Sequence, residues 1–290
     1  MSKATGKGRP LRIAVASGKG GTGKTTLAVA LALTAPAPAL LLDCDVEEPN
    51  AALFFPGFGA EALREDVTVP VPKVDEGSCI ACGACAAFCE FKAVIVLGKE
   101  ALIFPELCHS CGGCVSLCPT KALREEPLAV GSITEGRFGG LRLTQGELRL
   151  GAAMSPPVIR AVKRRAAAYL ADEGDEARLA IIDCPPGTAC PMTKAVRDAD
   201  LVLLATEPTP FGLHDLRLAH ETVRSMGLPA AAVINRCDLG DDGVERYCAA
   251  EGLPVVGRIP FDRRAAEAYS SGGTILSASG AYRPLLEGMH

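Results

Sequence analysis

Residues 17–26, SGKGGTGKTT, constrain the fold of this chain more than any other stretch. They contain GxxxxGK[ST], opened by Gly18 and closed by Gly23, Lys24 and Thr25. An apolar run, LRIAVAS (11–17), precedes the loop, and good helix formers, TTLAVALALTA (25–35), follow it. Strand, glycine loop and helix in that order bring the backbone N–H groups of Gly20, Gly21, Thr22, Gly23 and the residues through Thr26 around phosphate oxygens, at the positive end of a helix dipole. Lys24 reaches the β and γ phosphates, and Thr25 offers its hydroxyl to Mg²⁺.

The remaining apolar runs fit a mostly parallel sheet. ALLLDCD (39–45) follows a proline-punctuated turn, and LAIID (179–183), LVLLATEP (201–208), AAAVINR (230–236) and PVVGRIP (254–260) alternate with helical stretches such as 211–226. Between them, 54–77 is rich in proline, glycine and acidic residues and reads as a linker. A cysteine-rich segment follows, and the gapped apolar runs of 125–151 read as strands or hairpins leading back. The expected organisation is an α/β domain in two parts, 1–69 and 126–290, interrupted by a module over 70–125.

The chain has thirteen cysteines in 290 residues, and eight fall into two tight runs. Cys79, Cys82, Cys85 and Cys89 give C-x₂-C-x₂-C-x₃-C, and Cys108, Cys111, Cys114 and Cys118 repeat it 29 residues on. FKAV (91–94) matches TKAL (120–123) at the same offset, so the segment is an internal duplication, with the hairpin-like AVIVLGKEALIF between the halves. No secretion signal precedes the cysteines, which favours metal ligation over disulfides. A third cysteine at this spacing suits a cubane better than tetrahedral zinc.

Lys19 adds a second lysine to the loop, giving KGGxGK[ST]. The chain here resembles the deviant Walker A ATPases, the group of MinD, ParA, Mrp and the nitrogenase iron protein. The resemblance implies an ATPase in which two chains sandwich two ATPs and Lys19 reaches the partner's nucleotide. It further implies that Asp45, in DCDVEEPN, orients the attacking water, that Asp43 and Asp183 support Mg²⁺, and that Asn235, in VINRCD, contacts adenine. Positioning of this kind, without a covalent intermediate, is sufficient for phosphoryl transfer.

The cysteine runs resemble bacterial two-cluster ferredoxins, in which the fourth cysteine of each run ligates the other cluster. That resemblance implies one [4Fe–4S] cluster on Cys79, Cys82, Cys85 and Cys118 and a second on Cys108, Cys111, Cys114 and Cys89. Pro119 follows Cys118 as in such proteins, whereas Glu90 follows Cys89 and puts the local turn and potential in question. His109 reads as a loop residue, since eight thiolates saturate both clusters. The default for Cys44, Cys184, Cys190, Cys237 and Cys248 is a small, unligated thiol, although Cys184 and Cys190 bracket the expected switch segment.

Taken together, the chain resembles MinD-superfamily ATPases with an inserted ferredoxin domain. The expected fold is an α/β P-loop NTPase with an α+β ferredoxin-like insert. The expected function is nucleotide-gated electron transfer to a redox partner protein, with iron–sulfur assembly or delivery, or a ParA-like positioning switch, as alternatives. A formal charge of −4 and the absence of tryptophan argue against a nucleic-acid partner. RAVKRR (160–165), with Val158, Ile159, Val162 and Leu170 at helical spacing, reads as a solvated helix face. No run of eighteen apolar residues, no signal-peptide core at MSKATGKGRP and no basic amphipathic tail are visible. The expectation is a cytoplasmic protein without a membrane anchor.

Overall fold

The apolar run before the glycine loop is a strand, and the helix formers after it are a helix. A computed structural model describes residues 10–36, 38–58, 62–152, 154–171, 177–279 and 282–289. Its strands are β1 (Leu11–Ala16), β2 (Ala39–Asp43), β3 (Leu63–Val74), β4 (Val94–Leu97), β5 (Glu100–Ile103), β6 (Leu123–Phe138), β7 (Leu141–Leu148), β8 (Leu179–Asp183), β9 (Leu201–Thr206), β10 (Ala230–Asn235) and β11 (Val255–Ile259). Its helices are α1 (Lys24–Thr34), α2 (Ala84–Phe88), α3 (Gly113–Leu117), α4 (Pro156–Ala171), α5 (Cys190–Val196), α6 (Pro210–Ser225), α7 (Gly243–Glu251), α8 (Arg263–Ser270), α9 (Ile275–Ala278) and α10 (Tyr282–Glu287). None of the described helices is long and apolar enough to cross a membrane.

Two compact units emerge. The first comprises Met1–Arg64, Ile133–Glu147 and Ile159–His290, and the second Glu65–Ser132 and Leu148–Val158. The second is therefore wider than the 70–125 expected and receives a second pass of the chain.

In the first unit the strand order is β11-β10-β9-β1-β8-β2-β7, and β2, β8, β1, β9, β10 and β11 pair in parallel. β7 pairs β2 in parallel as well, Ala39 facing Leu141. Every residue of β2 and β8 is buried, as expected of strands covered on both faces. Leu27, Leu31, Leu41, Ile181, Leu203 and Val233 belong to the core cluster on one face of this sheet.

The stretch read as a solvated basic face is a helix, α4, but two of its cations turn inward. Lys163 Nζ donates to the carbonyls of Lys194 (3.0 Å) and Ala195 (2.9 Å), which satisfies the end of α5, and it pairs with Asp198 at 3.3 Å. Arg165 pairs with the buried Glu135 at 3.3 Å, and the Tyr169 hydroxyl donates to the same carboxylate at 3.1 Å. Arg160 and Arg164 remain exposed.

In the second unit β4 and β5 form the antiparallel hairpin expected between the cysteine runs, Val94 opposite Ile103. The supposed linker contains β3 instead. Its pattern from Val67 to Val71 alternates buried and exposed, and it occupies the end of the strand order beside β6. Pro70 and Pro72 mimic a turn signal, yet an edge strand tolerates prolines because one side of it needs no ladder.

Candidate functional site

The phosphate loop occupies the turn from β1 into α1. Gly23 has φ of 89°, and a Cβ there would lie 2.7 Å from Asn235 Nδ2, so both backbone and neighbour call for glycine. Lys24 begins α1 and is only 6% exposed. Gly20 through Leu27 line a cavity of about 400 Å³, which Asp45, Glu48, Asn235, Phe261 and Tyr282 also face. Lys19 is half-buried and is not among its lining residues. The Lys19 carbonyl accepts the Ser17 hydroxyl at 2.5 Å.

Two aspartates end adjacent strands in register, Asp43 of β2 beside Asp183 of β8, and both are fully buried. Asp43 Oδ1 accepts the Asp45 N–H at 3.1 Å, and Oδ2 accepts those of Asn50 (3.1 Å) and Ala51 (3.0 Å). These three bonds let Asp43 shape the loop that carries Asp45. Burial raises the Asp43 carboxyl well above the usual carboxylate range, and the charge of Asp183 adds to the effect.

Neither oxygen of Asp183 has a hydrogen-bond partner among the described residues. Burial pushes its carboxyl up to about 7, against the pull of the nearby Thr25 hydroxyl and the Lys24 ammonium. An orphaned buried carboxylate beside a threonine hydroxyl is an oxygen donor set that a hydrated Mg²⁺ would satisfy, so these residues fit the ion. Asp45 is half-buried. Its carboxyl is pushed up to about 6, first by burial and then by Glu48 and Glu47, while Lys24 pulls it down.

Asn235 braces the phosphate loop. Its Nδ2 donates to the Thr22 carbonyl at 2.9 Å and its Oδ1 accepts the Arg236 N–H at 3.0 Å, while the side chain still faces the cavity. The far wall was not anticipated from sequence. Asp238 Oδ1 accepts the Phe261 N–H at 2.6 Å, which ties the loop after β10 to the loop after β11, and Asp262, Tyr269 and Tyr282 complete that side.

The cysteines gather into two cavities of the second unit. Cys79, Cys82, Cys85 and Cys118 line one of about 20 Å³. Cys89, Cys108, Cys111 and Cys114 line another of about 400 Å³ with Phe88, Phe91, His109 and Ser110. Each cavity thus takes three thiols from one run and the last thiol of the other. The 29-residue duplication extends to backbone conformation: Ala81 and Ser110 share left-handed φ values of 52° and 54°, and Lys92 and Lys121 share 54° and 58°. The Ala93 N–H donates to Cys89 Sγ at 3.3 Å and the Ala122 N–H to Cys118 Sγ at 3.2 Å, again one offset apart.

Burial raises the Cys85 and Cys114 thiols. Among the described residues no three His, Cys, Asp or Glu side chains converge on a point that would hold a single metal ion. Four thiols spaced around a cavity fit a cluster better than a lone zinc. His109 stacks on Phe91, ring centroids 3.5 Å apart. Of the other cysteines, Cys44, Cys184 and Cys248 are buried, Cys237 is half-buried, and Cys190 is exposed at the start of α5.

The CobQ/CobB/MinD/ParA nucleotide binding domain family matches residues 13–275. This chain belongs to that family. An uncharacterized protein of Methanocaldococcus jannaschii is 28% identical over 236 residues, covering 81% of this chain and 80% of that protein. The iron-sulfur cluster carrier protein of Pyrococcus horikoshii is 31% identical over 107 residues, 32% of this chain and 36% of that one. Among solved structures, the septum site-determining protein MinD of Pyrococcus horikoshii, complexed with Mg-ADP, superposes with a TM-score of 0.54 at 18% identity, covering 96% of this chain and 94% of the other. A likeness at that identity speaks for the CobQ/CobB/MinD/ParA fold alone, and the family match accounts for the cavity around Lys24.

Proposed function

We propose that this chain is an ATP-hydrolysing switch carrying a ferredoxin-like module with two [4Fe–4S] clusters, and that nucleotide state governs when electrons pass to a partner protein. The observation that carries the reading is the presence, in one chain, of a phosphate-loop cavity with an orphaned buried aspartate and of two cavities that each collect four thiols across the duplication.

In this reading Lys24 neutralises the β and γ phosphates, the Gly20–Thr26 backbone cradles them, and Thr25 with Asp183 holds Mg²⁺ and its water shell. Asp45, poised on the loop that Asp43 pins, orients water as a carboxylate. Lys19, absent from the lining of its own cavity, reaches the nucleotide of a second copy, so two chains close on two ATPs. The loops bearing Asp45 and Asp183 respond to the γ-phosphate, the class of motion by which nucleotide switches act. The eight thiolates hold the two clusters, and the bound clusters supply one-electron exchange.

A second reading, iron–sulfur delivery, is favoured by the partial similarity to the Pyrococcus horikoshii carrier protein. Anaerobic purification separates the two. About eight irons per chain, retained in the presence of an apo-acceptor, with reduction or partner oxidation that changes with Mg·ATP, support gating. Ready transfer of iron to the acceptor supports delivery. Iron-free or zinc-loaded protein, or a chain that stays monomeric with Mg·ATP when hydrolysis is blocked, removes the gated-transfer reading.

A further inference from the structure

The two cysteine cavities descend from one repeat, so a position that keeps its backbone conformation in both halves but changes its side chain invites comparison. At the left-handed residue two beyond the first cysteine of each run, the first half has Ala81 and the second Ser110. The Ser110 hydroxyl is buried, has no hydrogen-bond partner among the described residues, and belongs to the lining of the cavity formed by Cys89, Cys108, Cys111 and Cys114. Its own N–H donates to Cys108 Sγ at 3.4 Å, which fixes the residue against a ligand sulfur.

An unpaired buried hydroxyl costs free energy unless something in the cavity accepts its proton. The acceptors a cluster would bring are sulfurs. We propose that the Ser110 hydroxyl is a hydrogen-bond donor to the sulfurs of the second cluster and that it makes this cluster easier to reduce. The inference rests on the two-cluster reading. A donor stabilises the more negative, reduced form, and hydrogen bonds to sulfur are among the levers that set cluster potentials. Ser110 is a tuning residue and holds no iron itself.

Three neighbouring groups act on the same balance. Glu90 and Glu125 also line the second cavity and would disfavour extra negative charge, but both are exposed, where water and salt screen them. Thr120 is the first cavity's own hydroxyl, 3.8 Å from Cys118 Sγ, and it too is exposed, so solvent competes for it. The buried donor therefore has the stronger influence, and it favours residence of the electron on the second cluster.

The test is an EPR-monitored redox titration of the anaerobically purified full chain, with iron and sulfide content measured on the same samples. Ser110→Ala is expected to move one of the two midpoints to a more negative value and leave the other in place, Ser110→Thr to restore it, and Ala81→Ser to move the other midpoint upward. Midpoints unmoved by Ser110→Ala and by Ala81→Ser, in protein that keeps its full iron content, overturn the proposal while leaving the two-cluster reading intact. A shift of both midpoints together, or both variants acting on the same midpoint, also overturns it. Iron-free wild-type protein overturns the two-cluster reading and the inference with it.

Discussion

In the first unit β2 and β8 are buried at every residue, whereas in the second α2 buries none of its five, and Ile80, Leu97 and Leu117 are 65%, 60% and 50% exposed. The nucleotide unit has the apolar interior that lets a domain fold by excluding water. Much of the cysteine unit's apolar surface is open, and its thiols face cavities. On the two-cluster proposal such a segment would gain much of its folding free energy from ligation, since metal binding to residues that are apart in the unfolded chain is itself folding energy. The two units should accordingly respond in opposite ways to loss of metal and loss of packing.

The largest effect tests this directly. Cys114→Ala is expected to abolish the second cluster and the hydrogen-exchange protection of residues 84–122, while ATP affinity measured by calorimetry stays as in the parent. Equal protection in metal-free and metal-loaded protein would end the contrast. Lys24→Ala should do the converse, lowering ATP hydrolysis by about 10²–10³-fold with iron content unchanged, because it removes the main preorganised charge at the phosphates. Hydrolysis should also fall as pH drops through about 6, by about tenfold per unit well below it, since Asp45 gains a proton there and can no longer act as a carboxylate. Asp45→Asn should be slow throughout and lack that limb in a pH–rate profile.

Packing inside the cysteine unit is local, and one contact sharpens the comparison between its halves. A Cβ on Gly113 would sit 2.0 Å from the Phe88 ring, so Gly113→Ala is expected to cost about 1–3 kcal/mol in chemical denaturation of the holo-protein. Phe88→Ala in the same chain should relieve it, whereas Ala84, the repeat equivalent of Gly113, already carries the methyl group. The smallest expected effect is Asn235→Ala, which removes the bond to the Thr22 carbonyl and should weaken nucleotide binding by about 5–10-fold.

Legibility in the sequence followed the range of the interaction. The strand, loop and helix around Lys24 and the hairpin of β4 and β5 could be read because every determining residue is adjacent in the chain. β3 was hidden, since the turn chemistry of Pro70 and Pro72 outweighs a short alternation unless the strand is known to lie at an edge. The role of Asp43 depends on the path of residues 50 and 51, and the wall made by Phe261, Asp262 and Tyr282 depends on strand order. Neither is encoded in any local window. Ser110 was visible only as a letter between two cysteines, and its left-handed backbone and buried hydroxyl gave it meaning.

The exchange of the last cysteine between the duplicated runs also bears on ancestry. Either half by itself supplies only three of the thiols around its cavity, so an unduplicated forerunner would have needed two copies to meet before either cage could close. In the tandem arrangement the two runs meet within one chain, at the fixed proximity of a short tether rather than in an encounter that depends on protein concentration.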